Sequence, residues 1–398
     1  MKKNFGKKNP FSGLGRNVAV LGLVSFFTDA SGDMIYPLLP FFLTLTLGAS
    51  AEMLGLIEGI AESTASIVKL FSGWLSDKLK KRKSLAVAGY ALSSLSRPLM
   101  AMALAPWHVL FIRFTDRIGK GIRTSPRDAL IADSTKLELR GKAFGFHRAL
   151  DHLGAIVGPI LAMGVLAFAP NNYRLVFWLA AIPAVLSVII LIVGAKEISP
   201  EHTSQAPSLH FRGIDRNFRL YLGIVFLFAL GNSSDAFLLL RARDLGVPTV
   251  SIPIIWVVLH VVKALSSMPG GALSDRIGRK KVIILGWIIC ALVYAAFALS
   301  SSAWQAWGFF ALYGVYFGLT EGVEKAFVAD LVKPEMRGLA YGVFNFAIGI
   351  GALPASIIMG VLWHRVNPGV AFLFGAGLAL LASLLLCGVK ERKAYTIA

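Results

Sequence analysis

The stretch Gly73-Trp-Leu-Ser-Asp77-Lys-Leu-Lys-Lys-Arg82-Lys83 is written a second time, 198 positions later, as Gly271-Ala-Leu-Ser-Asp275-Arg-Ile-Gly278-Arg279-Lys-Lys281. A second pair keeps almost the same interval. Ala132-Asp133, Arg140-Gly141, Ala143, Phe144 and Gly145 return 197 positions later as Ala329-Asp330, Arg337-Gly338, Ala340, Tyr341 and Gly342. Self-similarity at half the chain length means one unit duplicated. Parallel repeats of this size in a very apolar chain point to two membrane bundles with a solute handled where they meet.

Composition supports the lipid reading. Of 398 residues, 56% are hydrophobic and 16% charged, more apolar surface than a soluble domain can cover. A membrane-crossing helix needs ~20 apolar residues, and about twelve such stretches can be marked. They lie near 18–42, 53–75, 84–105, 108–130, 142–168, 172–195, 218–240, 250–270, 282–300, 304–330, 339–364 and 369–389. The expected fold is therefore an all-α membrane protein of two six-helix bundles, related by a pseudo-two-fold axis around a central cavity. Residues 1–196 form the first bundle and 218–398 the second. The polar interval 197–217, with Pro200, Pro207 and a charged run from Arg212 to Arg216, links them on the cytoplasmic side.

The formal charge of +18 raises nucleic acid as a partner, but its placement excludes that. The bases gather in alternate loops: Lys2 to Arg16, Lys78 to Lys83, Lys136 to Lys142, Arg212 to Arg219, Arg276 to Lys281, Lys333 with Arg337, and Lys390 to Lys393. The intervening loops hold few. The positive-inside rule then puts both termini in the cytoplasm of a multi-pass protein of the cell (inner) membrane. The basic N-terminus precedes a long apolar stretch without a small-residue cleavage site, so it reads as a retained first helix rather than a signal peptide. Cys290 and Cys387 both fall inside apolar spans, which rules out a disulfide framework.

Ionisable groups inside spans cost ~2.5–3.5 kcal/mol each on insertion scales, so each needs a partner, a wet cavity or a task. The first half carries Asp29, Asp33, Glu58, Glu62, Asp116 and Asp151 against Lys69, Arg97, Arg113, Arg117, Lys120 and Arg148. The second carries Asp235, Glu321 and Glu324 against Lys263 and Lys325, with His260. That near balance does not demand an anionic solute. Asp29, Asp33, Glu58 and Glu62 are candidates for binding a coupling proton at depths that face a central cavity. Glu58 and Glu62, one turn apart, would oppose each other's ionisation. Arg113 to Asp116 and Asp116 to Lys120 are available as local pairs. His147, Arg148, Asp151 and His152 cluster on the fifth span, with Arg148 and Asp151 placed on the substrate path. Asp235, His260, Lys263, Glu321 and Glu324 supply the opposite wall, with Arg117 and His147 as further cavity candidates. A metal site built from His147, Asp151 and His260 lacks recognised ligand spacing, so no metal is assigned.

The doubled loop, G-x-L-S-D-x-x-G-R-x-K in its second copy, resembles the signature of the major facilitator superfamily, over the whole chain. The resemblance implies a latch that closes the cytoplasmic side, carried by Gly73, Asp77, Arg82, Asp133 and Arg140 in one half and Gly271, Asp275, Arg279, Asp330 and Arg337 in the other. The first copy departs from the pattern, with Leu79-Lys80 where Ile277-Gly278 stands. Gly145, Gly154 and Gly158-Pro159 resemble the family's antiporter motif on the fifth helix, where small residues allow close packing and proline allows a bend. Ala162-Met163 replaces its usual closing Gly-Gly. Arg113 matches the family's fourth-helix arginine, tied to proton transfer, although Asp116 and Arg117 stand where that motif has Gln and Gly.

The resemblance implies a secondary active transporter of a small organic solute, working by alternating access, with proton-coupled efflux as the leading reading. Import of an organic anion, siderophore-like or carboxylate, with a proton is the alternative, using Arg113, Arg117 or Arg148. A non-transporting receptor or scaffold is a remote third. No enzyme is expected, since no nucleophile and base stand in recognisable spacing. No phosphate-cradling Gly-Lys-Ser/Thr loop is present to harness ATP. The chain should need no cofactor beyond the proton, have a solute and the bilayer as partners, and act as a monomer.

Overall fold

The computed structural model describes residues 15–79, 81–135, 140–198, 215–332 and 337–390. At Gly73, Asp77, Arg140, Gly145, Asp275 and Arg337 only the backbone is described, so those parts of the predicted latch and small-residue face lie outside the described side chains, as does most of the interval predicted as a linker.

Twelve helices carry the chain, and no strand occurs among the described residues. They are α1 Arg16–Thr46, α2 Ala51–Leu79, α3 Arg82–Ala101, α4 Pro106–Asp133, α5 Arg140–Phe168, α6 Tyr173–Gly194, α7 Arg216–Asp244, α8 Ile252–Ile277, α9 Arg279–Leu299, α10 Ala303–Leu331, α11 Arg337–Arg365 and α12 Pro368–Leu386. The predicted spans match these one for one, and most real helices run several residues further. Among the described residues, eight are long and apolar enough to cross a bilayer by composition alone, and α2, α3, α4 and α10 are not. In α2, α3 and α4 the deficit is charge, and in α10 it is Trp, Tyr, Gly and acid. These are the helices that a membrane protein turns inward.

Two helices are irregular. In α1, Pro37 and Pro40 remove backbone donors, and the helix tightens to a 3₁₀ turn at Tyr36–Leu38 before widening into a π turn at Phe42–Thr46. In α7 the helix stops at Gly231 and restarts at Ala236, leaving Asn232 to Asp235 non-helical at mid-span. Gly278 takes φ +102° at the second latch turn, a conformation that favours glycine. Lys80, its counterpart in the first copy, lies outside the described residues.

Packing obeys one rule: helix n touches helix m wherever n+6 touches m+6. α1 packs on α5 and α6 as α7 packs on α11 and α12, and α4 on α2 and α3 as α10 on α8 and α9. Between the halves, α2 lies on α11 and α5 on α8. Fine contacts repeat too. Asn17 clamps the Lys196 backbone through both N–H and C=O (2.8 and 3.0 Å), tying the start of α1 to the end of α6. Asn217 does the same to Lys390 beyond α12 (3.0 and 2.8 Å). Asn172 and Asn367 cap α6 and α12 through their side-chain oxygens, worth about 1 kcal/mol each. Arg82 pairs with Asp133, and Arg279 with Asp330 at 3.4 Å. The latch residues whose side chains are described are thus joined within each half.

The small-residue face of α5 meets α1. A methyl group on Gly154 would overlap the Phe26 carbonyl oxygen, and one on Gly158 the Ala30 carbonyl. This is the close approach expected of small residues at helix interfaces in lipid. The same device operates between halves. A methyl on Gly59 would stand 2.9 Å from the Leu353 Cα, and one on Gly55 would overlap the Ser356 carbonyl. Ser63 donates to Gly349 O at 2.6 Å, and Arg365 pairs with Glu52 at 3.1 Å. All these α2–α11 contacts lie between the α2 start and Ser66. The halves are therefore sealed together at the end opposite the basic loops.

Candidate functional site

Below that seal two adjoining cavities, of about 230 and 550 Å³, share Tyr36, Glu62, Lys120 and Asp235. The larger one is bordered by half-buried Glu62 and Glu321 and by Lys325 and Asn345, which are solvent-exposed, so the chamber opens towards the end carrying the basic loops.

The first-half wall is a ladder of charges on α2, α3 and α4. One helical turn separates Glu58 from Glu62 and Arg113 from Arg117, so matching faces bring them together in register. Arg113 donates to both oxygens of Glu58 at 2.7 and 2.9 Å, and Arg117 pairs with Glu62 at 3.0 Å. Each glutamate therefore has its own guanidinium. The repulsion expected between the two acids is offset, which corrects the reading of them as a mutually opposed pair. Asp116 stands 3.7 Å from Arg97 on α3 and 4.0 Å from Arg113. The expected Asp116–Lys120 pair does not form among the described residues, because Asp116 turns towards Arg97 of α3. Arg97 is held further by Ser31, whose own hydroxyl donates to Ala180 O. Charges so buried persist only when paired and hydrogen-bonded.

Two acids on the same wall are treated differently. Asp29 and Asp33 line the smaller cavity, and neither has a base within 4 Å among the described residues. Asp33 accepts a hydrogen bond from the Trp256 indole of α8 at 3.2 Å. Lys120 also faces both cavities with no acid within 4 Å among the described residues.

The second-half wall is aromatic. Phe228 stacks on Trp287 with centroids 4.3 Å apart, beside Tyr316. Trp287 donates to Glu324 at 2.8 Å, and Lys263 pairs with Glu321 at 2.8 Å while lying over the Phe317 ring. Tyr313 donates to Asp235 at 2.8 Å. Where the walls meet, Tyr36 packs on Trp256 (5.1 Å between centroids), Ser234 of α7 donates to Glu58 at 3.3 Å, and the Tyr36 and Ser234 hydroxyls lie 3.4 Å apart. These contacts join the halves directly behind the chamber.

Among the predicted residues, Asp29, Asp33, Glu62, Arg113 and Arg117 line the chamber from one side, and Asp235, Lys263, Glu321 and Glu324 from the other. Glu58 is 1% exposed and sits behind the wall. His147, Arg148 and Asp151 border neither cavity. Asp151 faces α1, where Ser25 donates to it, with His147 Nδ1 at 3.6 Å and Arg148 at 3.3 Å. The glycine-mediated approach of α5 to α1 turns His147 and Asp151 into the helix interface, which argues against Asp151 as lining of the path in this conformation, whereas the Arg148 side chain is 58% exposed. His260 contacts the Trp256 carbonyl at 3.0 Å, one turn up its own helix. Sequence reasoning missed Ser234, and it missed Tyr36, Trp256, Trp287 and the tyrosines of α10, which read simply as apolar span residues.

Comparison with known proteins follows the same outline. A profile of the Major Facilitator Superfamily matches residues 21–261 and 221–396. An uncharacterized MFS-type transporter of Methanocaldococcus jannaschii is 35% identical over 94% of both chains. The multidrug resistance protein MdtG of Escherichia fergusonii is 29% identical over 73% of this chain and 74% of its own. The crystal structure of the nucleoside transporter NupG superposes with a TM-score of 0.76 at 15% identity, over 94% of this chain and all of the other, a likeness of fold.

Proposed function

The chain belongs to the Major Facilitator Superfamily of membrane transporters, and from that premise we propose that it exports a small organic solute in exchange for protons. The basic loops and both termini face the cytoplasm, the protein acts as a monomer in the cell membrane, and the chamber is open inward. Residues 1–196 and 218–398 rock as two bodies about it, joined by 197–217. The solute enters between the charged wall of the first half and the aromatic wall of the second. Rocking then parts α2 from α11 and releases it outside.

One observation carries proton coupling. Glu58, Glu62 and Asp116 are each committed to an arginine, whereas Asp29 and Asp33 face the chamber with no base within 4 Å among the described residues. Within the first half they are the acids placed to take up and give back a proton as access alternates. Efflux is supported by the likeness to MdtG and by the Gly154, Gly158-Pro159 face of α5. Import of an organic anion with a proton is the second reading, favoured by the unpaired Lys120 on the chamber wall.

Vesicles decide between them. In inverted vesicles with an acidic interior, a responsive member of a broad panel of small organic solutes should accumulate at least tenfold over a no-gradient control. Asp29→Asn and Asp33→Asn should remove that dependence while leaving solute exchange intact. Accumulation confined to right-side-out vesicles with acid outside would overturn export. Gradient-driven accumulation unchanged in both variants would overturn the role of these aspartates.

A further inference from the structure

The break in α7 lies in the second half, apart from the aspartates of the first half. Asn232, Ser233, Ser234 and Asp235 all line the larger cavity. The Asn232 N–H turns back to Phe228 O and Ala229 O at 3.0 and 3.2 Å, closing the first half-helix. No described donor reaches the carbonyls of Leu230, Asn232 or Ser233. Breaking a helix at mid-membrane frees such acceptors, and this is tolerated where they line a cavity. Ser233 Oγ is buried, with the residue 7% exposed, beside the Tyr294 hydroxyl but with no well-formed hydrogen bond among the described residues.

The charge at the break is negative. Asp235 has one described donor, the Tyr313 hydroxyl, and does not cap the helix that follows it. The nearby base Lys263 is engaged by Glu321 at 2.8 Å. The Asn232 side-chain oxygen accepts from the Tyr294 hydroxyl at 3.1 Å and its amide N–H donates to the Tyr316 hydroxyl at 3.1 Å, which fixes that amide and surrounds the break with aromatic rings. Freed carbonyls, hydroxyl oxygens, one carboxylate and ring faces together are the environment of a small cation.

We propose that the break in α7 seats a monovalent cation, with Asp235 supplying the charge and Ser233 a neutral oxygen. The cation is either a sodium ion or the ammonium group of the transported solute; the chemistry is shared. The assignment rests on the chamber being the transport path, but its test needs no transport.

The full chain in lipid nanodiscs is titrated with sodium chloride or ethylammonium chloride against N-methylglucamine chloride at constant ionic strength, with the thermal unfolding midpoint as readout. At least one of the two cations should raise the midpoint saturably. Asp235→Asn should weaken the apparent affinity at least tenfold, and Ser233→Ala at least threefold. A response to sodium alone identifies an ion site, and a response to ethylammonium alone a solute subsite. Should Asp235→Asn fail to insert, Ser233→Ala decides. Equal responses to all three cations, or a response unchanged in the variants, would overturn the seat. Failure here leaves the vesicle experiment standing, and failure there leaves this one standing.

Discussion

Gly55→Val should drive the chain out of the conformation described above and stop transport. A side chain at this position overlaps the Ser356 backbone oxygen, and neither helix offers a flexible end that could yield. Overpacking in a well-fitted interface costs about 1–3 kcal/mol, and the cost falls only on the state in which α2 and α11 touch. Every 1.4 kcal/mol shifts a two-state ratio about tenfold, so the ratio of sealed to unsealed molecules should fall about 5- to 150-fold. The check is the labelling rate of a cysteine at Asn345, an exposed position on the chamber wall, in a chain without Cys290 and Cys387. Labelling from the basic-loop side should slow at least fivefold in Gly55→Val, while folded yield is kept. An unchanged rate with unchanged transport would show that the α2–α11 contact does not define the state.

The second large effect concerns Glu58 and Arg113. Arg113→Met strands a carboxylate that is 1% exposed and takes away two of its hydrogen bonds. Breaking a buried pair from one side costs about 3–5 kcal/mol, whereas replacing both members by apolar residues is often neutral. The monodisperse yield of Arg113→Met should therefore fall at least tenfold. Glu58→Leu combined with Arg113→Met should recover it. The recovered double variant should still fail to transport, because Ser234 of α7 loses its acceptor on the opposite half. Recovery of both yield and transport would reduce the pair to packing.

How much of this was legible beforehand depends on how local each signal is. The duplicated loops reveal the two halves because whole motifs recur, and Arg82, Asp133, Arg279 and Asp330 belong to them. The Asn17 and Asn217 clamps are the same symmetry carried by one residue each, which no repeat search over single positions can separate from chance. Spacing of four put Glu58 with Glu62 on one face, yet their partners lie 55 positions away on α4. Periodicity is silent about which helix that face meets. The same gap misdirected Asp116, paired locally with Lys120 on paper and with Arg97 of α3 in the fold. It also misplaced Asp151, since a helical face is readable but its rotation is set by glycine contacts with α1. The break in α7 shows in the sequence only as a loose likeness of Gly231-Asn-Ser233-Ser-Asp235 to Phe27-Thr-Asp29-Ala-Ser31-Gly-Asp33 of the first helix. The tyrosines that surround it count as apolar in any hydropathy window.

In the proposed mechanism, two homologous bodies rock about this chamber. It is tested most directly by paired spin-label distances, with one pair at Glu52 and Arg365 across the sealed end and another at Leu79 and Arg276 near the basic loops. Under a gradient that supports transport, the first distance should lengthen as the second shortens, in one coupled population shift. Two distances that stay fixed, or that lengthen together, would contradict it.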